Sequence, residues 1–356
     1  MKQLEQRNQM IIDAIIQKAQ RLCPGSLALI GLYGSFATGK AHEKSDLDLL
    51  VLINDPQGFQ LGRAFIQDDL MVGHDIYCTT WDSLEQDAEY THPNISKLMD
   101  SKIVYCADPA YRKRLDALRQ KVRNILESPL SKADFQKAEQ LLREAEHCYG
   151  AALAAEELSE VRMQSGGTIY YLENALAMLN KTYFHLGTRH TCRELERLPL
   201  RPAGFTELIE AVLSAETRQD ILAHLTRLLE ETVRTFRKAE CSLPVSQAAA
   251  TAGNLCGTYE EMFSNWRCKL HTAALSGDRY LAFMSLVSMQ AMLENIHSDV
   301  DIGHYDALSC YDPKDLAGTA AAFDHLLDRY LTEYEKAGIS ANRYPDIDTF
   351  LVDYLT

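Results

Sequence analysis

The chain has 356 residues, of which 46% are hydrophobic, and a formal net charge of −14. This length accommodates two or three domains, and no apolar run approaches the roughly 20 residues of a membrane span. The acidic balance disfavours nucleic acid as a partner, because proteins that follow a phosphate backbone usually carry a basic patch. The nine cysteines include no C-x-x-C pair, which indicates reduced thiols and a cytoplasmic location rather than disulfides or a zinc site.

The first predicted elements lead to a Gly-Ser turn. Leu4–Leu22 has the apolar spacing of a helix, and Pro24–Gly25 ends it. The apolar run Leu27–Tyr33 is predicted to be a strand and continues directly into Gly34–Ser35. Glycine permits close approach of a phosphate group, and a short helix beginning within Ser35–Lys40 would direct its N-terminus at that anion.

The next predicted strand, Leu47–Ile53, has two carboxylates at its start. Asp46 and Asp48 are two residues apart, so on a strand their side chains point the same way. Such a pair suits a hard divalent cation such as Mg²⁺, which takes oxygen ligands and leaves coordination sites for phosphate oxygens. The alternative is a solvated strand start with a capping role.

The remainder of the first third is predicted to alternate between helix and strand. Asp75 lies on the third strand, sharing a face with Gly73 and Tyr77, whereas His74 lies on the other face. A buried aspartate there would need a partner such as a metal, and an edge position is the alternative. The predicted segments are a helix over Phe59–Gln67, a strand over Met71–Cys78, a helix over Trp81–Glu89, a strand over Lys102–Cys106 and a helix over Pro109–Leu126.

Taken together, the Gly-Ser turn, the Asp-x-Asp pair and the later aspartate resemble the nucleotidyltransferase superfamily with the DNA polymerase beta-like fold. Within it, residues 25–110 are most similar to the minimal and kanamycin-type antibiotic nucleotidyltransferases. The resemblance implies that Asp46, Asp48 and Asp75 bind Mg²⁺, or Mn²⁺, in a two-metal site and act in catalysis, with Asp75 also a candidate general base. It further implies that Gly34 and Ser35 hold the β- and γ-phosphates of the nucleotide. Lys40 and Ser45 are further candidates for nucleotide binding, and the alternative for Lys40 is an exposed lysine without a ligand.

Beyond Ser128–Pro129, the predicted domain boundary, the periodicity is helical almost to the end. The sequence therefore predicts an α+β fold: a nucleotidyltransferase domain over 1–128, with a mixed β-sheet and flanking helices, and an all-helical region over 129–356 that could divide near 240–258. The predicted helices begin at the Ser131-x-x-Asp134 capping box, begin again after Gly166–Gly167, and cover Ile221–Phe236, Tyr259–Ala274, Tyr280–Ile296, Leu316–Lys336 and Phe350–Leu355. The alanine-rich stretch Pro244–Gly253 is left as a linker or an irregular helix.

Two features of the helical region are further candidates. Glu173 could serve as a base on the acceptor side. Trp266, followed by Arg267 and Lys269, could stack on a base or meet a phosphate, although an aromatic residue at a packing interface explains the same pattern.

The leading hypothesis is an enzyme that transfers a nucleoside monophosphate, AMP from ATP in the simplest case, to a hydroxyl group and releases pyrophosphate. Its partners are then a nucleoside triphosphate and an acceptor, either an aminoglycoside-like small molecule, which an acidic protein would attract, or a protein side chain. The kanamycin-type relatives suggest a homodimer, and no membrane is expected. The alternative is a nucleotide-binding or toxin-neutralising interaction protein with this fold and little turnover, and addition to RNA ends is disfavoured by the charge.

Overall fold

The computed structural model describes residues 2–42, 45–243 and 247–356. The chain divides into two compact units, Met1–Leu243 and Pro244–Thr356. We refer to these as the first unit and the second unit. The boundary predicted at 128/129 and the division predicted within the helical region remain predictions.

The first unit begins with strands and helices that alternate along the chain, and it ends with helices. Two 3₁₀ segments, Pro56–Leu61 and Thr188–His190, interrupt this series. In chain order the elements are α1 (Lys2–Leu22), β1 (Leu27–Leu32), α2 (Gly34–Ala37), β2 (Leu49–Ile53), β3 (Arg63–Gln67), β4 (Val72–Ile76), β5 (Cys78–Thr80), α3 (Trp81–Asp87), α4 (Ser96–Met99), β6 (Lys102–Cys106), α5 (Pro109–Glu127), α6 (Lys132–Ala154), α7 (Leu158–Leu179), α8 (Thr191–Leu195), α9 (Phe205–Ser214) and α10 (Arg218–Glu240).

The main sheet has four strands in the order β5-β2-β1-β6. The β2–β5 pair is parallel, and β1 is antiparallel to both of its neighbours, so the sheet is mixed as predicted. Both faces of β2 are covered: Leu50 and Leu52 pack in the core formed with α3 to α10, and Val51 and Ile53 pack with α1. Each such fully buried side chain contributes roughly 1.5–3 kcal/mol through the hydrophobic effect. A strand that is apolar at every position is what two covering layers require.

Two predictions for the first third need correction. The predicted helix over Phe59–Gln67 is wrong, because the 3₁₀ segment ends at Leu61 and β3 then pairs antiparallel with β4 in a separate two-stranded sheet. Most of β3 is exposed, so its sequence lacks the alternation that marks a half-buried strand. The strand after the Gly-Ser turn starts at Leu49, so Asp46 and Asp48 lie in the extended segment just before it.

The helical part of the first unit is built on the antiparallel pair α6 and α7. Ser131 and Asp134 form the predicted capping box at the start of α6. Gly166–Gly167 lies inside α7, which corrects the prediction that these glycines precede the helix. A Cβ at Gly167 would lie 3.1 Å from the Sγ of Cys148 on α6, so this glycine serves close packing between the two helices.

The second unit has a core of its own, formed by residues between Leu255 and Tyr334. The predicted helix over Tyr259–Ala274 contains a π-helical segment at Met262–Arg267. The sequence pattern does not predict this local change of helix type. Residues 244–246 of the predicted alanine-rich stretch lie outside the described residues. The elements are β7 (Ala248–Ala249), α11 (Ala252–Leu255), α12 (Thr258–Glu261), α13 (Cys268–Ser276), α14 (Arg279–Asp299), β8 (Val300–Asp301), α15 (Leu316–Lys336) and α16 (Ile347–Tyr354).

The described helices include none with the length and apolar character needed to cross a membrane. All nine cysteines are free thiols.

Candidate active site

The Gly-Ser turn holds the Asp48 carboxylate against its backbone. Gly34 has a φ of +67°, and a Cβ at this position would lie 1.9 Å from Oδ2 of Asp48. The Tyr33 N–H donates to the Asp48 carbonyl at 3.1 Å, and the Ser35 N–H donates to the Asp48 carboxylate. Only glycine fits at position 34, because any side chain would displace this carboxylate and would also be strained.

A cavity of about 250 Å³ opens beside this turn. Its lining combines the predicted motif residues with a segment from the helical part of the same unit. The residues from the α/β part are Gly34, Ser35, Thr38, Lys40, His42, Ser45, Asp46 and Asp48, and those from the helical part are Leu186, Gly187, Thr188, Arg189 and His190. We call this cavity the carboxylate pocket. It brings together all of the predicted site residues except Asp75.

Two serines of the motif have different environments. The Ser35 hydroxyl is buried and makes no hydrogen bond to any described residue, so it is available to a ligand. The buried Ser45 instead closes its own loop: its hydroxyl accepts the His42 N–H at 2.9 Å, and its carbonyl accepts from the Arg7 guanidinium at 3.0 Å. Ser45 therefore shapes the wall of the pocket, whereas Ser35 offers a free donor to it.

The two carboxylates of the pocket interact unfavourably with each other. Burial and, secondly, the neighbouring Asp46 together raise the pKa of Asp48 to about 6, although the hydrogen bond from the Ser35 N–H lowers it. Burial, together with both carboxylates, also raises the pKa of Tyr33 to about 12. A bound divalent cation would relieve this repulsion, and carboxylate oxygens are the ligands it prefers. Within residues 2–42, 45–243 and 247–356, His, Cys, Asp and Glu side chains form no group of three or more that could hold a metal.

Asp75 is not part of the pocket. It is exposed on β4, and its carboxylate accepts a hydrogen bond from Tyr77. The inward face of β4 carries His74, which is 3% exposed and close enough to Arg7 and Asp46 for their charges to affect its pKa, which burial lowers. The predicted alternation of the strand is present, but it directs the histidine toward Asp46. A metal-binding or catalytic role for Asp75 remains a prediction. The position of Asp75 outside the carboxylate pocket does not support it.

Sequence reasoning missed the segment of residues 182–190, a loop that ends in the 3₁₀ turn Thr188–His190 and whose last five residues line the pocket. It is held in place at three points: the Tyr90 hydroxyl donates to the Thr182 carbonyl at 2.6 Å, the Tyr183 hydroxyl donates to Asp100 at 2.8 Å, and Glu194 accepts two backbone N–H groups. Its contacts with the Gly-Ser turn depend on tertiary packing, so no local motif could have identified it.

The two further candidates do not line the pocket. Glu173 is half-buried on α7, and burial raises its pKa to about 7. Trp266 packs against the core of the second unit, and Arg267 pairs with Asp324 at 2.8 Å while it stacks on Phe263. These contacts match a packing role for the tryptophan and its neighbours.

Comparison with known proteins gives two family matches. Residues 12–132 match the nucleotidyltransferase domain, and residues 116–241 match the KNTase C-terminal domain. One similar solved structure is the crystal structure of a nucleotidyltransferase-like protein from Exiguobacterium sibiricum 255-15, with 12% identity over 75% of this chain and 92% of that chain and a TM-score of 0.32. No curated protein matches the chain.

Proposed function

We infer that this chain is a nucleotidyltransferase whose catalytic domain is followed by a KNTase C-terminal domain. On that premise, it transfers AMP from ATP to a hydroxyl group. The acceptor is an aminoglycoside-like small molecule or, as the second choice, a protein side chain. The acceptor oxygen forms a bond to the α-phosphorus, the bond from that phosphorus to the bridging oxygen breaks, pyrophosphate leaves, and the hydroxyl proton is released. The cytoplasmic location and the homodimer expected from the sequence remain predictions.

The observation that carries this proposal is the position of the Asp48 carboxylate, which lies against Gly34 in one cavity with Asp46. A phosphate group in that cavity would meet the unpartnered Ser35 hydroxyl, a hydrogen-bond donor with no competing partner among the described residues. Phosphoryl-group transfer depends mainly on positioning and on stabilisation of charge. A glycine-cleared turn with a free donor beside two carboxylates supplies the positioning.

Nucleotidyltransferases generally use divalent metals, and the donor set here fits one such ion. Asp46 and Asp48 would hold it through carboxylate oxygens, with Mg²⁺ as our choice and Mn²⁺ as the alternative. When bound, the cation would neutralise charge on the phosphate oxygens. A second metal, as in a two-metal site, would need ligands other than Asp75 in this geometry.

The test is detection of nucleotide transfer by mass spectrometry, with ATP, Mg²⁺ and a panel of aminoglycosides and proteins as acceptors. We expect Asp46→Asn and Asp48→Asn to lower transfer about a hundred- to a thousandfold, because preorganised charge at a reaction centre contributes on this order. Asp13→Asn is the matched control, since it removes the same charge from an exposed position on α1. Full activity in either pocket variant rejects the site. Binding of ATP without pyrophosphate release, whatever acceptor is offered, favours the nucleotide-binding interaction protein.

A further inference from the structure

A second cavity, of about 380 Å³, has five lining residues in the described part of the chain, and all of them carry basic side chains: Lys40, His42, Arg189, His190 and Arg193. We call it the basic cleft. The chain as a whole carries a net charge of −14, with 50 acidic against 36 basic residues, so the lack of acidic side chains among the described lining residues runs against its composition. Lys40 comes from the loop after the Gly-Ser turn, and Arg189 and Arg193 come from the helical part of the same unit.

The basic cleft adjoins the carboxylate pocket. Four of its five lining residues, all except Arg193, also line the carboxylate pocket. The two cavities are therefore neighbouring parts of one depression, with a pair of carboxylates at one part and permanently charged cations at the other. Such a division of charge suits a ligand that extends from a metal-binding group to a strongly anionic group.

Three cations of the cleft, Lys40, Arg189 and Arg193, form no ion pair with any residue that the structure describes. All three side chains are exposed. Like charges gathered in one cavity repel one another, and a bound anion would remove that cost. Arginine is also the side chain best suited to phosphate, because its planar guanidinium can donate two parallel hydrogen bonds.

The segment that carries Arg189 is fixed rather than adaptable. Glu194 accepts the backbone N–H groups of His185 and Leu186 at 2.8 and 3.0 Å. On the same stretch, the Phe184 N–H donates to the Pro93 carbonyl at 3.4 Å. A cation on an anchored segment loses less conformational freedom on binding than one on a free loop.

We propose that the basic cleft binds an oligophosphate group through Lys40, Arg189 and Arg193. The inference rests on the proposed function in one respect: the β- and γ-phosphates of the nucleotide, which leave as pyrophosphate, are the nearest source of such a group. A phosphorylated acceptor is the other source. In either case the helical part of this chain supplies two of the three cations, Arg189 and Arg193, beside the carboxylate pocket of the same chain.

The experiment measures binding by isothermal titration calorimetry for the wild-type protein, Arg189→Ala, Arg193→Ala and the control Arg227→Ala. Arg227 is an exposed arginine on α10 outside both cavities, so its removal changes the net charge equally. The probes are inorganic pyrophosphate in EDTA, which reports the cations without a metal, and ATP and AMP with Mg²⁺. We expect each cleft variant to bind pyrophosphate and ATP about tenfold more weakly, since one hydrogen bond to a charged group contributes about this factor. Binding of AMP and all binding by Arg227→Ala should stay within about twofold of the wild type.

The outcomes separate this inference from the proposed function. Weaker binding of pyrophosphate with unchanged binding of ATP retains the cleft and assigns it to a phosphorylated acceptor. Unchanged binding of pyrophosphate and of ATP by variants that melt like the wild type overturns the inference, even if nucleotide transfer is observed. Arg189→Gln and Arg193→Gln repeat the test if the alanine variants are unstable. A protein that binds pyrophosphate in the cleft but never transfers a nucleotide supports the inference and refutes the proposed function.

Discussion

Gly34 adopts a φ of +67° and faces the Asp48 carboxylate, so two constraints act on one residue. We expect Gly34→Ala to displace Asp48 and to lower nucleotide transfer by at least about tenfold, with a loss of stability of roughly 1–3 kcal/mol from backbone strain. Gly25→Ala is the matched control, because Gly25 has a φ of +86° but open space where its Cβ would lie. It should lose stability to a similar extent and keep its activity. Thermal melting and transfer rates of the two variants check this, and equal rates for both would contradict the packing argument.

For Asp75, the role that the resemblance implies and the position that the structure shows disagree. The resemblance assigns it to the metal site, whereas the structure leaves it exposed on β4 and hydrogen-bonded to Tyr77. We expect Asp75→Asn to transfer nucleotide within about threefold of the wild type, because exposed charges outside a site contribute little. The measurement is the rate of pyrophosphate release beside that of Asp46→Asn. A loss as large as that of Asp46→Asn would mean that the β3–β4 hairpin has another arrangement during the reaction.

Glu173 makes the stability of the first unit depend on pH. Burial raises its folded pKa to about 7 from an ordinary value of 4.5. Between these two values the folded chain binds a proton that the unfolded chain has lost, so the free energy of unfolding falls as the pH rises through this window and levels off above pH 7. We expect Glu173→Gln to gain about 2 kcal/mol relative to the wild type between pH 5 and pH 8. Melting curves at both pH values measure the gain, and Glu160→Gln, at an exposed position on α7, should show none.

At the scale of elements, the segment of residues 182–190 depends on Glu194 of α8. The Glu194 carboxylate accepts the N–H groups of His185 and Leu186, which would otherwise have to find other partners. We expect Glu194→Ala to speed amide hydrogen exchange in this segment about tenfold or more, since two charge-assisted hydrogen bonds are lost. Glu196→Ala is the control, because the hydrogen bond that the Glu196 carboxylate accepts from Thr206 is long, at 3.4 Å, and it accepts no other from a described residue. Exchange that is equally slow in both variants would show that the segment is held by its other contacts.

Elements that local sequence determines could be predicted, whereas those that depend on pairing or packing with distant residues could not. The Gly-Ser turn and the Asp-x-Asp pair are local patterns that the sequence displays directly, and the resemblance to nucleotidyltransferases implies their roles; the structure places them in one pocket. The apolar faces of the long helices follow the helical period, so the sequence predicts α15 with its observed bounds and α10 without its first three and last four residues. By contrast, β3 is an exposed strand fixed by its pairing with β4. The 182–190 segment reaches the pocket only through tertiary packing, so no local pattern shows it.

At the scale of the whole molecule, the residues of both cavities fall between Gly34 and Arg193 and therefore lie within the first unit. The buried residues of the first unit form two core clusters drawn from residues 12–239, and those of the second unit form a separate cluster drawn from residues 255–334. Each unit thus has the hydrophobic core that an independently folding domain requires. The residues that would bind nucleotide do not include any from the second unit.

This separation predicts that a chain of residues 1–243 folds and binds ATP with Mg²⁺ within about threefold of the affinity of the full chain, because domains with their own cores fold as units. Circular dichroism melting and calorimetric titration check the two statements separately. The full-length protein carrying Asp48→Asn is the control for binding that does not involve the carboxylate pocket. An unfolded or aggregated 1–243 chain would show that the first unit needs the second for stability. A folded chain with much weaker ATP binding would show that the second unit contributes to the nucleotide site.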